Sequence, residues 1–149
     1  MNQTIQAQSQ NTPFKFLGCW FTAALKYTTQ TKLIQQEALG LNNILKTKNI
    51  TNKQVAYIIN TVIIPTLEYR IHNIVLPYTT CNYILSQYLT TAKHKAKLPV
   101  SIPNSTLLNH NIYGIKNIWE IQVQHHISKF HLRINDPNLM GTSTHIRLQ

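Results

Sequence analysis

The sequence predicts a mainly α protein: a small helical bundle with a short β-strand or hairpin near the N-terminus. Three observations carry this. Residues 51–76 repeat apolar side chains at helical spacing. Two further stretches, 28–48 and 80–98, do the same. Phe14–Phe21 is instead an aromatic run, dense in strand-favouring residues. The chain has 149 residues, about one domain, and can bury a core without disulfide or metal support.

Residues 1–13 are mostly Gln, Asn, Thr and Ser with little to bury, so they are expected to be disordered. In the strand that follows, Leu17-Gly18 interrupts the aromatic residues. A Gly within a strand marks a bulge or the close approach of another backbone. Both faces of the segment are apolar, so it requires cover, either from a neighbouring polypeptide or from the helical core beneath an ordinary hairpin.

In 28–48, Ile34, Ala38, Leu41, Ile44 and Leu45 form the apolar stripe, and Gly40 weakens the helix. Lys46 and Lys48 fall at its end, where cations complement the negative helix pole. The next helix is the centre of the bundle. Thr51 and Gln54 have the spacing of a capping box, and Ile50 and Val55 that of a hydrophobic staple. Val55, Ile58, Ile59, Val62 and Ile63 are expected on one buried face, with a kink or break at Pro65. In 80–98, Cys81, Ile84, Leu85, Tyr88, Leu89 and Ala92 share a face, and the helix ends on Lys93-His94-Lys95-Ala96-Lys97. Residues 98–113 form a connection with a single helical turn at Ser105–Leu108. The last helix carries Trp119, Val123, Ile127, Phe130 and Ile134 as a core stripe and stops at Asn135-Asp136-Pro137. Residues 136–149 are expected to be a flexible tail, which leaves 14–135 as the structured region.

Composition narrows the function. Fourteen Lys and Arg against four Asp and Glu give a net charge of +10. Such an excess favours polyanions: nucleic acid first, an anionic membrane surface second. The carboxylates are Glu37, Glu68, Glu120 and Asp136, none near another in sequence. Two-metal nucleotidyl transfer and paired-carboxylate hydrolysis both need several acids together, so neither is expected. Cys19 and Cys81 lack the spacing of a zinc site and point to a reducing compartment. No Gly-rich phosphate loop, His pair at metal-binding spacing or internal repeat is present. His125, His126 and His131 read as surface histidines. The N-terminus does not read as a secretory signal, and no apolar run approaches the about 20 residues that cross a bilayer. An intracellular, non-secreted protein of nucleus or cytoplasm is expected, without a membrane partner. The Asn49-Ile50-Thr51 and Asn104-Ser105-Thr106 triplets are then chance matches to the glycosylation pattern.

Four segments carry a family resemblance. Phe14-Lys15-Phe16-Leu17-Gly18-Cys19-Trp20-Phe21 resembles the "F-L-G-V-W" hairpin that follows the palm in reverse transcriptases of non-LTR (LINE-type) retrotransposons. Residues 53–70, KQVAYIINTVIIPTLEYR, resemble that family's thumb helix, with its "Y-I-x-N-x-V-I-I-P-x-L-E-Y" pattern. KLPVSIPN at 97–104 and YGIKNI at 113–118 are similar to segments further on. The resemblance spans about residues 14–135. It implies a thumb-like region downstream of the active site, from a truncated or degenerate copy. The palm Asp residues that hold the family's Mg2+ have no counterpart here, so the resemblance implies neither catalysis nor a cofactor. It also implies that Leu17 and Gly18 lie in the hairpin that grips the primer strand, and that helices 28–48, 51–76 and 80–98 cradle a duplex.

The functional expectation is therefore a non-catalytic region that binds RNA or an RNA–DNA duplex, with Lys46, Lys93, Lys95 and Lys97 as phosphate contacts and a separate palm-containing polypeptide as a possible partner. The alternative is a small basic helical module that docks a protein partner through residues 14–21.

Overall fold

The computed structural model describes residues 9–16, 18–24, 27–71 and 74–148. Most of residues 1–13 therefore lie outside it. The protein is mainly helical with one two-stranded antiparallel hairpin, as the sequence predicts. β1 (Phe14–Phe16) pairs with β2 (Cys19–Phe21) in the register Phe14 to Phe21, Lys15 to Trp20 and Phe16 to Cys19. Gly18 is neither a bulge nor a strand residue. It lies in the turn at φ +82°, a conformation that a side chain disfavours. The hairpin is anchored to the bundle through Gln30, whose Oε1 accepts from the Trp20 N–H at 3.0 Å.

α1 (Thr28–Thr47) and α4 (Tyr78–Lys95) form the main pair. Three side-chain bonds fix their direction. Tyr88 Oη donates to the Ala38 carbonyl at 2.6 Å, Thr91 Oγ1 to Asn42 Oδ1 at 2.8 Å, and Lys95 Nζ to the Lys46 carbonyl at 2.8 Å. The partners advance together along both chains, so the helices are parallel. The helix between them must run the other way. It comprises α2 (Asn52–Ile58), a π-helical stretch (Ile59–Ile63) and α3 (Ile64–Ile71). Its capping box is complete: Thr51 Oγ1 accepts from the Gln54 N–H, and Gln54 Oε1 from the Thr51 N–H at 2.9 Å.

The π stretch accommodates Pro65. A proline ring inside an α-helix collides with the carbonyl four residues back and leaves it unpaired. Here the helix widens just before the ring, and the Ile64 N–H reaches back five residues to the Ile59 carbonyl. This also alters the buried face. Val55, Ile59, Ile63, Ile64, Leu67 and Ile71 are buried, whereas Ile58 is only partly covered and Val62 is 51% exposed. The expected stripe assumed a uniform α repeat, and the wider turn carries Val62 out to solvent. In α4, which stays regular, all six residues expected in the core are buried.

α5 (Asn104–Leu108) is the expected single turn, seated by Leu107. α6 (Ile118–Ile134) begins with Asn117 capping the Trp119 N–H at 3.0 Å. Its expected core stripe is corrected. Ile118 and Gln122 are the buried residues, Trp119 and Val123 are partly covered, and Ile127 and Phe130 are exposed. Past its first two turns, α6 is met by α7, which leaves Ile127 and Phe130 largely open and covers Ile134 only in part. Within the expected tail, α7 (Leu139–Leu148) is helical and folds back against α6. Gly141 is buried at that contact, where a Cβ would overlap the Asp136 carbonyl. Among the described residues, no helix is long and apolar enough to cross a membrane.

Candidate nucleic-acid interface

Because α1 and α4 are parallel, their C-terminal ends and negative poles lie together. Lys46, Lys48, Lys95 and Lys97 gather there, but they are not equivalent. Lys95 Nζ donates to the Lys46 and Lys48 carbonyls at 2.8 and 2.7 Å, so it caps the neighbouring helix. Lys93 is 5% exposed, and its Nζ donates to the Val100 and Ile102 carbonyls at 3.1 and 2.6 Å. Its ammonium pins the 98–103 connection and does not face solvent. Lys46, Lys48 and Lys97 are exposed.

Lys97 closes α4. The Leu98 N–H donates to the Lys93 carbonyl at 2.9 Å and the Lys97 N–H to the His94 carbonyl at 3.1 Å, the two bonds of a Schellman motif. The motif puts Lys97 at φ +55°, the position usually held by Gly. A side chain there costs about 1–2 kcal/mol.

Leu17 lies outside the described residues. Gly18 sits over the end of the central helix, where an added Cβ would stand 3.8 Å from Tyr69 Oη. Asn60, in the π stretch, donates to the Gly114 carbonyl at 2.8 Å and accepts from the Lys116 N–H at 3.0 Å. Asn60 thus joins the 53–70 segment to Gly114 and Lys116 of the 113–118 segment, and Lys93 holds the 97–104 segment through Val100 and Ile102.

A second basic surface went unrecognised in the sequence. His126, Lys129, Phe130 and Arg133 recur at i, i+3, i+4 and i+7 on α6, so they share one face. With Arg147 and Leu148 of α7 they line a cleft of about 540 Å³ that also touches Tyr27, Ile74 and Val75. Tyr27 directly precedes α1, and Val75 lies just before α4. The cleft is therefore at the opposite end of the bundle from Lys97, about 30 Å away by the length of a 20-residue helix. Burial, then the charges of Lys129 and His125, lower the pKa of His126. Burial and Arg133 lower that of Lys129. The signal in the sequence was the basic face at this spacing, obscured by the Ile127–Phe130–Ile134 stripe that overlaps it.

The acids are spread out. Glu37 pairs with Arg70 and Glu68 with His125, the latter at 3.1 Å. Glu120 accepts from Asn117 Nδ2 at 3.1 Å, and Asp136 from the Asn138 backbone at 2.9 Å. Among the described residues no three His, Cys, Asp or Glu are placed to hold a metal ion. The donor set does not fit the Mg2+ pair of a nucleotidyl-transfer site, which needs converging carboxylates. No protein-family model, curated protein or solved structure matches the chain.

Proposed function

We propose that this chain is a thumb-like, duplex-holding region of a reverse transcriptase of the non-LTR retrotransposon type, which grips RNA or an RNA–DNA hybrid and performs no nucleotide joining. The observation that carries the reading is Lys97. An exposed cation stands where the backbone favours Gly, at the shared end of two parallel helices and beside Lys46 and Lys48. Conformational strain kept at an exposed charged residue points to a use for that charge. The net charge of +10 and the scatter of the four carboxylates support the same conclusion. Phosphate contacts of this kind orient a duplex without reading its sequence. The contacts belong to Lys46, Lys48 and Lys97, with Lys93 and Lys95 supporting the backbone beneath them.

The test is fluorescence anisotropy of an RNA–DNA duplex with the full chain across a salt series. Binding should weaken steeply with salt, and the triple variant K46Q/K48Q/K97Q should flatten the log–log slope by about 2.7, three phosphates at about 0.9 each. A slope unchanged in the variant, or no binding at low salt, defeats the proposal.

One observation favours a second reading, protein docking through the hairpin. Phe14 and Phe16 are 46% and 60% exposed. A partner such as a palm-containing polypeptide would cover them, and the complex would survive high salt and weaken with Phe16→Ser.

A further inference from the structure

The cleft between α6 and α7 has features that the lysine cluster lacks. Its charged lining is wholly basic: Lys129, Arg133 and Arg147, with His126 beside them and no carboxylate. Among the described residues, neither Arg133 nor Arg147 has a carboxylate within 4.0 Å. Apolar surface is interleaved with these cations. Phe130 is 48% exposed and Leu148 58%. Cationic groups beside an exposed aromatic ring are the two components of single-strand recognition, in which phosphates follow the charge and bases lie on the ring. The volume falls within the about 300–1,000 Å³ of small-ligand sites, wide enough for a nucleotide.

We propose that this cleft binds single-stranded nucleic acid, with phosphates at Arg133, Arg147 and Lys129 and a base against Phe130. The proposal rests on the nucleic-acid reading but assigns a different surface and a different form of the polymer. An anionic membrane surface fits less well. The cations line the walls of a cleft, which a strand can enter and a broad lipid surface cannot. Burial first, and neighbouring cations second, lower the pKa values of His126 and Lys129, and a phosphate would relieve the second effect.

The experiment uses the full chain, labelled oligo(dT), and a blunt RNA–DNA duplex. Arg133 and Arg147 are exposed, so R133Q/R147Q should fold, and an unchanged thermal midpoint confirms it. The expected result is about tenfold weaker oligo(dT) binding and a log–log salt slope smaller by about 1.4, two phosphates at about 0.7 each. Duplex binding should be unaffected. Phe130→Ala should weaken oligo(dT) binding without changing the slope.

Wild-type affinity for oligo(dT) in R133Q/R147Q, with duplex binding intact, overturns the cleft assignment alone. Failure of the wild-type chain to bind either polymer at low salt overturns this assignment together with the reading it rests on. Equal weakening of duplex and single strand by R133Q/R147Q shows a general charge effect and overturns the assignment. Complete displacement of oligo(dT) by an equal concentration of inorganic phosphate makes the site one for the free ion. Binding to phosphatidylserine vesicles in place of oligo(dT) makes it a membrane contact. Either result overturns the strand assignment.

Discussion

Gln122 satisfies both backbone hydrogen-bonding groups of Leu76. Its Oε1 accepts from the Leu76 N–H at 2.9 Å, and its Nε2 donates to the Leu76 carbonyl at 3.0 Å. Both residues are buried. This pair attaches α6 to the segment that leads into α4 and holds one margin of the basic cleft in place. Gln122→Leu keeps the bulk but orphans two buried backbone groups, and should cost about 3 kcal/mol in urea unfolding. An unchanged midpoint would show that water replaces the amide.

Lys93 and Lys97, four residues apart, should separate stability from binding. Lys93→Met removes the ammonium from two carbonyls and should cost about 2–3 kcal/mol, with the nucleic-acid salt slope unchanged in the folded protein. Lys97→Gly relieves the left-handed backbone and should stabilise by about 1 kcal/mol while weakening duplex affinity. Denaturation and anisotropy on the same samples check both. Loss of stability in Lys97→Gly would contradict the strain argument.

Gly141→Ala should displace α7, because the added methyl meets the Asp136 carbonyl. That carbonyl is backbone and cannot swing aside. The expected outcome is protease sensitivity confined to residues 137–148, with the main helical melt retained. A protease pattern like that of the wild type would show that α7 approaches α6 less closely.

Cys81 is buried, and its burial raises the thiol pKa to about 11. The unfolded thiol ionises first, near about 8.5. The unfolded state therefore loses its proton at lower pH than the folded state. The stability that the protonated thiol contributes is complete below that value and falls as pH rises toward 11. Tyr88 shifts in the same direction, through burial and then the charge of Glu37. At pH 8 Cys81 should resist a disulfide reagent until the protein is denatured. Rapid labelling of the native state at Cys81, located by mass spectrometry, would contradict this.

Much of the bundle was legible in the chain, and the exceptions have physical causes. The α4 face was readable because the helix is regular and the elements packed on it bury that face. The Thr51 cap was readable because it depends on local spacing alone. Val62 was misplaced because Pro65 imposes a wider turn on the residues before it. Ile127 and Phe130 were misplaced because periodicity shows which residues share a face, not whether another helix covers it. Lys93 looked like a solvated cation because only the folded path of 98–103 brings two carbonyls onto it. Lys97 kept its exposed position, whereas the basic face at His126, Lys129 and Arg133 emerged only once α7 was seen to close the cleft.

The parallel arrangement of α1 and α4 also bears on how the chain assembles. Three hydrogen-bonded pairs that join the two helices, Ala38–Tyr88, Asn42–Thr91 and Lys46–Lys95, lie 49 or 50 residues apart in the chain. No contact of this pair is local, so neither helix can dock by zipping from a turn. The central helix must first span the distance, which makes it the ruler that sets their alignment. Inserting or deleting a single residue there would shift every one of those bonds at once, an all-or-none sensitivity to length that substitutions of the same side chains do not share.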